Sequence, residues 1–317
     1  MTPIASARSI LAATFVAATL TAVTAVPAVA ATPSAVTAWP VSPDATPDHG
    51  DGARLAYQKS VAALVLKGVY ERGDTKVVDR YIRPDLIQHD PTLPDGTQAL
   101  KNLAVTVHQQ YPDATYDIKR VISEGDLVMV HSHVVLTPGT RGSAVVDLYR
   151  FEGGKIAEHW DVRQDVPATS VNGNDMFSTI SQPRSPYPGP RSHTAYNKKV
   201  VTDYYNQLFG RKDLSAIDTY VDPVEYDQHN ATIPNGPAGA KAGLGALFQQ
   251  FPNLTAEPKR IFAEGDLVVI HQYSALGIGD RGSAIVDIFR LRKGKIVEHW
   301  DVIQSVPETS ANDNTMF

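Results

Sequence analysis

Two carboxylates and an imidazole lie close together in this chain: Asp147 in "RGSAVVDLYR", then His159 and Asp161 in "GGKIAEHWDVRQ". If the second run is a β-strand, residues two apart share a face, so His159 and Asp161 stand together while Glu158 and Trp160 stand opposite. By the same alternation Val145, Asp147 and Tyr149 share one face of the preceding run. A hairpin then brings Asp147 near His159 and Asp161 if those faces coincide. His131, in "VMVHSH", and His89, in "IQHDP", are candidates for binding a substrate in the same pocket. Such a set suits proton transfer. An apolar, partly closed pocket raises a carboxyl pKa into the range useful near neutrality, and a neighbouring imidazole can hold an enol oxygen or take part in the transfer.

The same residues occur twice. Asp147, His159 and Asp161 return as Asp287, His299 and Asp301, and His89 and His131 return as His229 and His271, each 140 positions later. The alignment needs no gap from Gln88/Gln228 to Phe177/Phe317, and about half of its positions are identical, which establishes duplication of a whole domain. Two other histidines drifted: His108 aligns with Phe248 and His133 with Tyr273. Each retained residue also has a plainer reading. His159 could tie a strand to Asp147, and His89 could satisfy its own turn. Glu158 and Arg150, with Arg141, read as cross-strand ion pairs, and Trp160 as core or interface.

The elements that must position these residues follow one order in both copies. Apolar residues at helical spacing (Leu55, Val61, Val65 and Val69; Val200, Tyr204 and Leu208) open each copy. Asp74 or Asp213 then caps a short second helix. A short extended piece carries His89 or His229, and a third helix ends at "QQYPD" or "QQFPN", where proline cannot continue it. The rest of the first copy reads as strands over 114–123, 126–137, 142–152 and 155–164, joined by glycine-containing turns. Helices first and a four-strand antiparallel meander afterwards is an α+β layout with helices on one face of the sheet.

That order, with "EGDLVxxH", "RGSAxVDxxR" and "GKIxEHWDVxQ" present in both copies, resembles the SnoaL-like branch of the nuclear-transport-factor-2-like (NTF2-like) superfamily. The resemblance implies two tandem cone-shaped domains, each with a curved sheet wrapped around helices and a pocket at its mouth. The superfamily includes polyketide cyclases, ketosteroid isomerases, epoxide hydrolases, dehydratases and non-catalytic modules, so the fold leaves the activity to be argued from the site. In the cyclases, a carboxylate on the last strands acts as acid and base in an aldol closure without cofactor or metal. Asp161 and Asp301 match that carboxylate, and Asp147 and Asp287 match a second one beside the pocket. The expected function is therefore cofactor-independent cyclisation or isomerisation of a small carbonyl-bearing molecule. A secreted ligand-binding module and an epoxide-hydrolase-like enzyme are the alternatives.

Composition narrows the setting. A net charge of −5 without a basic run argues against nucleic acid as the main partner. The chain has no cysteine, so thiol chemistry and disulfides are excluded. No H-x-H or H-x-x-x-H spacing recurs in both copies, and no metal is expected. Residues 1–30 read as a signal peptide ending at Ala28-Val29-Ala30, which implies export and no membrane association after cleavage. Residues 31–53 read as a disordered linker, 54–177 as the first domain, 178–193 as a Pro-rich linker and 194–317 as the second domain. Pairing of the two copies as an internal pseudo-dimer, or of chains as a homo-oligomer, is expected of such sheets.

Overall fold

The computed structural model describes residues 51–317; the expected signal peptide and most of the first linker lie outside them. Helix α1 (Asp51–Leu66) already includes residues that composition assigns to the linker. Asp51 places its charge at the helix N-terminus and pairs with Arg54 (3.1 Å), whose guanidinium also donates to Gly125 O (2.6 Å). A wide five-residue turn (Lys67–Glu71) follows, then α2 (Thr75–Tyr81), whose first turn is capped by Asp74 accepting from Lys76 N (2.9 Å). Strand β1 (Ile82–Gln88) and α3 (Thr97–Gln110) precede the meander β2 (Thr115–Glu124), β3 (Leu127–Val135), β4 (Ser143–Glu152) and β5 (Lys155–Asp165).

The second copy repeats this order with α4 (Thr194–Tyr205), α5 (Ser215–Tyr220), β6 (Asp227–Gln228), α6 (Gly236–Gln250), β7 (Thr255–Glu264), β8 (Leu267–Ala275), β9 (Ser283–Arg292) and β10 (Lys295–Ser305). The sheets have five strands, not the four of the expected meander, in the orders β1-β5-β4-β3-β2 and β6-β10-β9-β8-β7. The short extended piece joins as a strand parallel to the last one, with Gln88 beside His159 and Gln228 beside His299. Strand β6 is shorter than β1 where "DPVEYDQH" carries one residue more than "RPDLIQH", leaving only an isolated bridge from Val221 to Ile296 upstream.

Each sheet is buried on both faces. On the inner face of the first, Val121, Val130, Val145, Tyr149 and Ile156 pack against Val61, Val65, Leu66 and Leu100 of the helices. On its outer face Met129, Val146, Leu148, Trp160 and Val162 join Val269, Val286, Ile288, Trp300 and Val302 of the other sheet in one shared core. The two copies thus pack sheet against sheet, and β4 shows near-continuous burial instead of alternation. Arg260 stacks on Trp160 (3.7 Å to the ring centre) and Arg120 on Trp300 (3.9 Å), one across each end of the shared core.

Candidate functional site

Strands β4 and β5 pair with Asp147 directly opposite Asp161 and Tyr149 opposite His159, so the faces left open by the sequence do coincide. All four side chains point inward, toward the helices. The His159 imidazole is fixed at both nitrogens. Its Nδ1 donates to Gln88 Oε1 (2.7 Å), and that oxygen also accepts from Asp90 N (3.2 Å), which sets the amide orientation. Its Nε2 faces Asp147 Oδ1 at 3.1 Å. With an acceptor on each side the ring is best satisfied as imidazolium. Burial works against that charge, but the hydrogen bond and charge of Asp147, with Asp161 and Asp90, outweigh it and raise the His159 pKa.

Asp161 is the opposite case. Burial, then the charges of Asp90 and Asp147, push its carboxyl up to about 8 against the pull of His159 and Arg163. The residue keeps part of its surface toward solvent, while Oδ1 is buried with no hydrogen-bond partner. Asp147 Oδ2 is likewise buried without a partner. The site therefore sets an imidazole favoured in its charged form beside a carboxyl favoured in its protonated form. A narrow internal cleft with about 10 Å³ of free space, room for about one water, reaches Tyr149 and His159 and is otherwise lined by Val65, Val69, Tyr70, Ile82, Leu86, Leu100 and Ile156. Burial, then the neighbouring carboxylates, hold the Tyr70 and Tyr149 hydroxyls well above their usual pKa, so both can only donate or accept hydrogen bonds as neutral phenols.

The second copy has the same frame with different partners. His299 bonds Gln228 Oε1 through Nδ1 (2.8 Å) and Asp287 Oδ1 through Nε2 (3.0 Å). Asp287 Oδ2 accepts from Gln272 Nε2 (2.6 Å), and Asp301 Oδ2 accepts from Asn230 Nδ2 (2.6 Å). Burial, then Asp287, raise the Asp301 pKa, opposed by His299 and the Asn230 hydrogen bond. Asp287, His299 and Asp301 each offer one donor atom, all within 4.8 Å of one another, which is an imidazole–carboxylate grouping of the kind that suits zinc or iron. Gln272 and Asn230 each bond one carboxylate oxygen of Asp287 and Asp301 and Gln228 bonds His299 Nδ1, while Asp301 Oδ1 has no partner.

His89, His131 and their counterparts His229 and His271 do not line the pocket, contrary to the expectation for substrate-binding residues. His131 pairs with Val146, whose side chain belongs to the shared core, so it lies on the outer face. There Arg120 donates to its Nδ1 (2.7 Å), and burial, then Arg120, hold its pKa well below the usual value. His271 is pushed down to about 3 in the same way, by burial and then Arg260. His89 stacks on Trp160 (4.6 Å), bonds Glu158 Oε1 through Nε2 (2.9 Å) and donates from Nδ1 to Thr315 O (2.5 Å) at the far end of the chain. His229 repeats this with Trp300, Glu298 and Asp175 O.

Those contacts belong to an exchange of tails. Asn172 and Asn174, after β5, donate to Asn230 O (2.6 Å) and Gln228 O (3.0 Å) of the second copy. Asn312 and Asn314, after β10, donate to Asp90 O (2.8 Å) and Gln88 O (3.0 Å) of the first. Arg150 and Glu158 form the expected cross-strand pair (2.7 Å), whereas Arg141 donates to Val166 O (3.1 Å).

The pocket residues missed from sequence are Gln88, Asp90, Tyr70 and Tyr149. Gln88 was legible, since Gln228 repeats it. The other three differ between copies (Asn230, Phe209 and Phe289), so a search for retained residues passes over them.

Comparison with known proteins follows the geometry. Among solved structures the chain is similar to a candidate polyketide cyclase from Acidithiobacillus ferrooxidans (22% identity over 34% of this chain and 88% of that one, TM-score 0.30). It is also similar to TsrD from Streptomyces laurentii (21%, 35% and 89%, TM-score 0.30) and to a candidate SnoaL-like polyketide cyclase from Jannaschia sp. (22%, 39% and 92%, TM-score 0.32). No curated protein matches it. Residues 60–170 match the family model described as SnoaL-like polyketide cyclase, and residues 201–299 match the SnoaL-like domain model. The chain belongs to the SnoaL-like family, whose NTF2-like fold it carries twice in tandem.

Proposed function

We propose that this protein catalyses cofactor-independent acid/base chemistry at the carbon next to a carbonyl, on a small and mainly apolar molecule, ending in aldol-type cyclisation or isomerisation. One observation carries the reading: Asp161, a carboxyl that burial holds protonated, lies directly across the strand pair from Asp147, which is bonded to His159, beside a narrow apolar cleft. His159 Nε2 bonds Asp147 Oδ1 and leaves Oδ2 free to accept the α-proton. Protonated Asp161 donates to the substrate oxygen as it gains charge, with Tyr70 and Tyr149 as neutral hydrogen-bond donors to the same oxygen. The enol formed then either closes on a second carbonyl or is reprotonated elsewhere by the carboxyl that took the proton. The expected export belongs to the proposal too, supported by the uncharged stretch after Arg8. A mature N-terminus near residue 31 in protein recovered from culture medium is its test.

The chemistry is tested without knowing the substrate. A panel of 1,3-diketones and aryl ketones in D₂O should show protein-dependent exchange of α-protons by NMR, persisting in EDTA. Asp161→Asn and Asp147→Asn should each lower the rate about 10²–10⁴-fold, the usual range for one acid/base group. Because Asp161 works protonated, the wild-type rate should fall as pH rises through about 8. Equal rates in wild type and both variants would contradict the reading.

A further inference from the structure

The second cone holds its polar residues differently from the first. Asp287, His299 and Asp301 are 7%, 8% and 7% exposed, and theirs is the one grouping of metal-site spacing among the described residues. Strand pairing makes it: Asp287 on β9 lies opposite Asp301 on β10, with His299 two residues before Asp301. Histidine spacing gives no sign of it, because two of the three residues are carboxylates and one comes from another strand.

One amide side chain grips each of the three. Gln228 Oε1 accepts from Asn230 N (2.9 Å) and Gln228 Nε2 donates to the Tyr226 hydroxyl (3.3 Å), so the oxygen faces His299 and Nδ1 carries the proton (2.8 Å). The Tyr205 hydroxyl donates to Gln272 Oε1, which turns Gln272 Nε2 onto Asp287 Oδ2 (2.6 Å). Asn230 Oδ1 accepts from Thr232 N (2.9 Å) and Thr232 Oγ1 (2.7 Å), which turns Asn230 Nδ2 onto Asp301 Oδ2 (2.6 Å). The atoms left are His299 Nε2, Asp287 Oδ1 and Asp301 Oδ1, one from each residue. The first two face each other at 3.0 Å, and the third is buried with no hydrogen-bond partner. Proteins orient metal ligands in this way: the imidazole donates its other N–H to a neighbour, and the carboxylates are themselves hydrogen-bonded.

We infer that Asp287, His299 and Asp301 bind one divalent transition-metal ion of the zinc type, through His299 Nε2, Asp287 Oδ1 and Asp301 Oδ1. The cation takes the place of the proton between His299 and Asp287. Donors 3.0 Å apart are near the ~3.3 Å edge of a tetrahedral zinc site with bonds of about 2.0 Å, and the third closes in from no more than 4.8 Å. The first cone keeps only the Gln88 grip on His159. Ser132 stands in place of Gln272 and Asp90 in place of Asn230, and both Asp147 Oδ2 and Asp161 Oδ1 are without partners. The metal thus belongs to the second domain, and the inference does not depend on the chemistry proposed for the first.

Cobalt(II) is the probe. Added to the chelator-washed full chain, it should give the visible absorption of a four-coordinate site, saturating at one equivalent, and zinc should displace it. His299→Ala should abolish that signal, and Asp161→Asn should leave it. Gln272→Ser keeps every ligand and should weaken binding about 10–100-fold. In histidine-labelled wild type, zinc should move the ring ¹⁵N resonances of His299 and not those of His159, which decides the matter even if a variant folds poorly. Three results would each overturn the inference: no saturable uptake, uptake that His299→Ala leaves intact, or a response at His159 equal to that at His299.

Discussion

At the scale of single residues the account turns on Asp161. Its carboxyl stays protonated to about 8 in the folded protein, whereas an aspartate in the unfolded chain ionises near 3.9. Between those values the folded state binds more protons than the unfolded one, so stability falls as pH rises from about 4 to about 8 and is level above. Asp161→Asn removes that dependence. The variant should gain on the order of 2 kcal/mol relative to wild type at pH 8.5, less than full conversion of the shift because His159 beside it is coupled to it, and gain nothing at pH 4. Urea unfolding at the two pH values checks this; a variant less stable than wild type at pH 8.5 would show that the carboxylate is welcome there. Asp90→Asn should bring the first site toward the second, lowering the pH at which Asp161 titrates, as followed by carboxyl ¹³C NMR.

At the scale of elements the duplication explains both what could be read and what could not. Alternation along β4 and β5 puts His159 and Asp161 on one face and leaves two choices for Asp147, of which the pairing of Asp147 with Asp161 selects one. Helix order, the Asp74 cap and the strand limits were legible for similar local reasons. Retention in both copies does not by itself mark His89 and His131 as pocket residues. The copies share an interface as well as a fold, and His89, His131, Trp160 and their counterparts are held by it through tails and stacked arginines that no local pattern reveals. His89→Ala should accordingly leave α-proton exchange unchanged while costing about 1–3 kcal/mol, since Thr315 O and Glu158 Oε1 lose their donor. A loss of exchange with unchanged stability would return His89 to the pocket.

At the scale of the whole molecule the copies unfold as one body in this account. Trp160 and Trp300 both sit in the shared core, so the fluorescence of a Trp39→Phe variant, which removes the third tryptophan, reports the interface. Its urea transition should coincide with that of far-UV circular dichroism, and separated transitions would mean domains that stand alone. The Pro-rich segment is docked on the second domain and does not hang free. Ser181 Oγ donates to Val297 O (2.8 Å), Gly189 N to Asp266 Oδ1 (2.7 Å), and Arg290 to Ser185 O (2.5 Å). A Cβ on Gly265, whose φ is +62°, would meet Gly189 O at 2.2 Å, so the segment and the β7–β8 turn fit only with glycine there. First cleavage within 178–193, natural for a loose tether, is therefore not the expected result of limited proteolysis. The proposed chemistry turns on Asp161, and carboxyl ¹³C NMR of aspartate-labelled protein tests that most directly. The account requires a carboxyl titrating near 8 that vanishes in Asp161→Asn and persists in Asp301→Asn. Asp161 titrating near 4, like an ordinary surface aspartate, would contradict it.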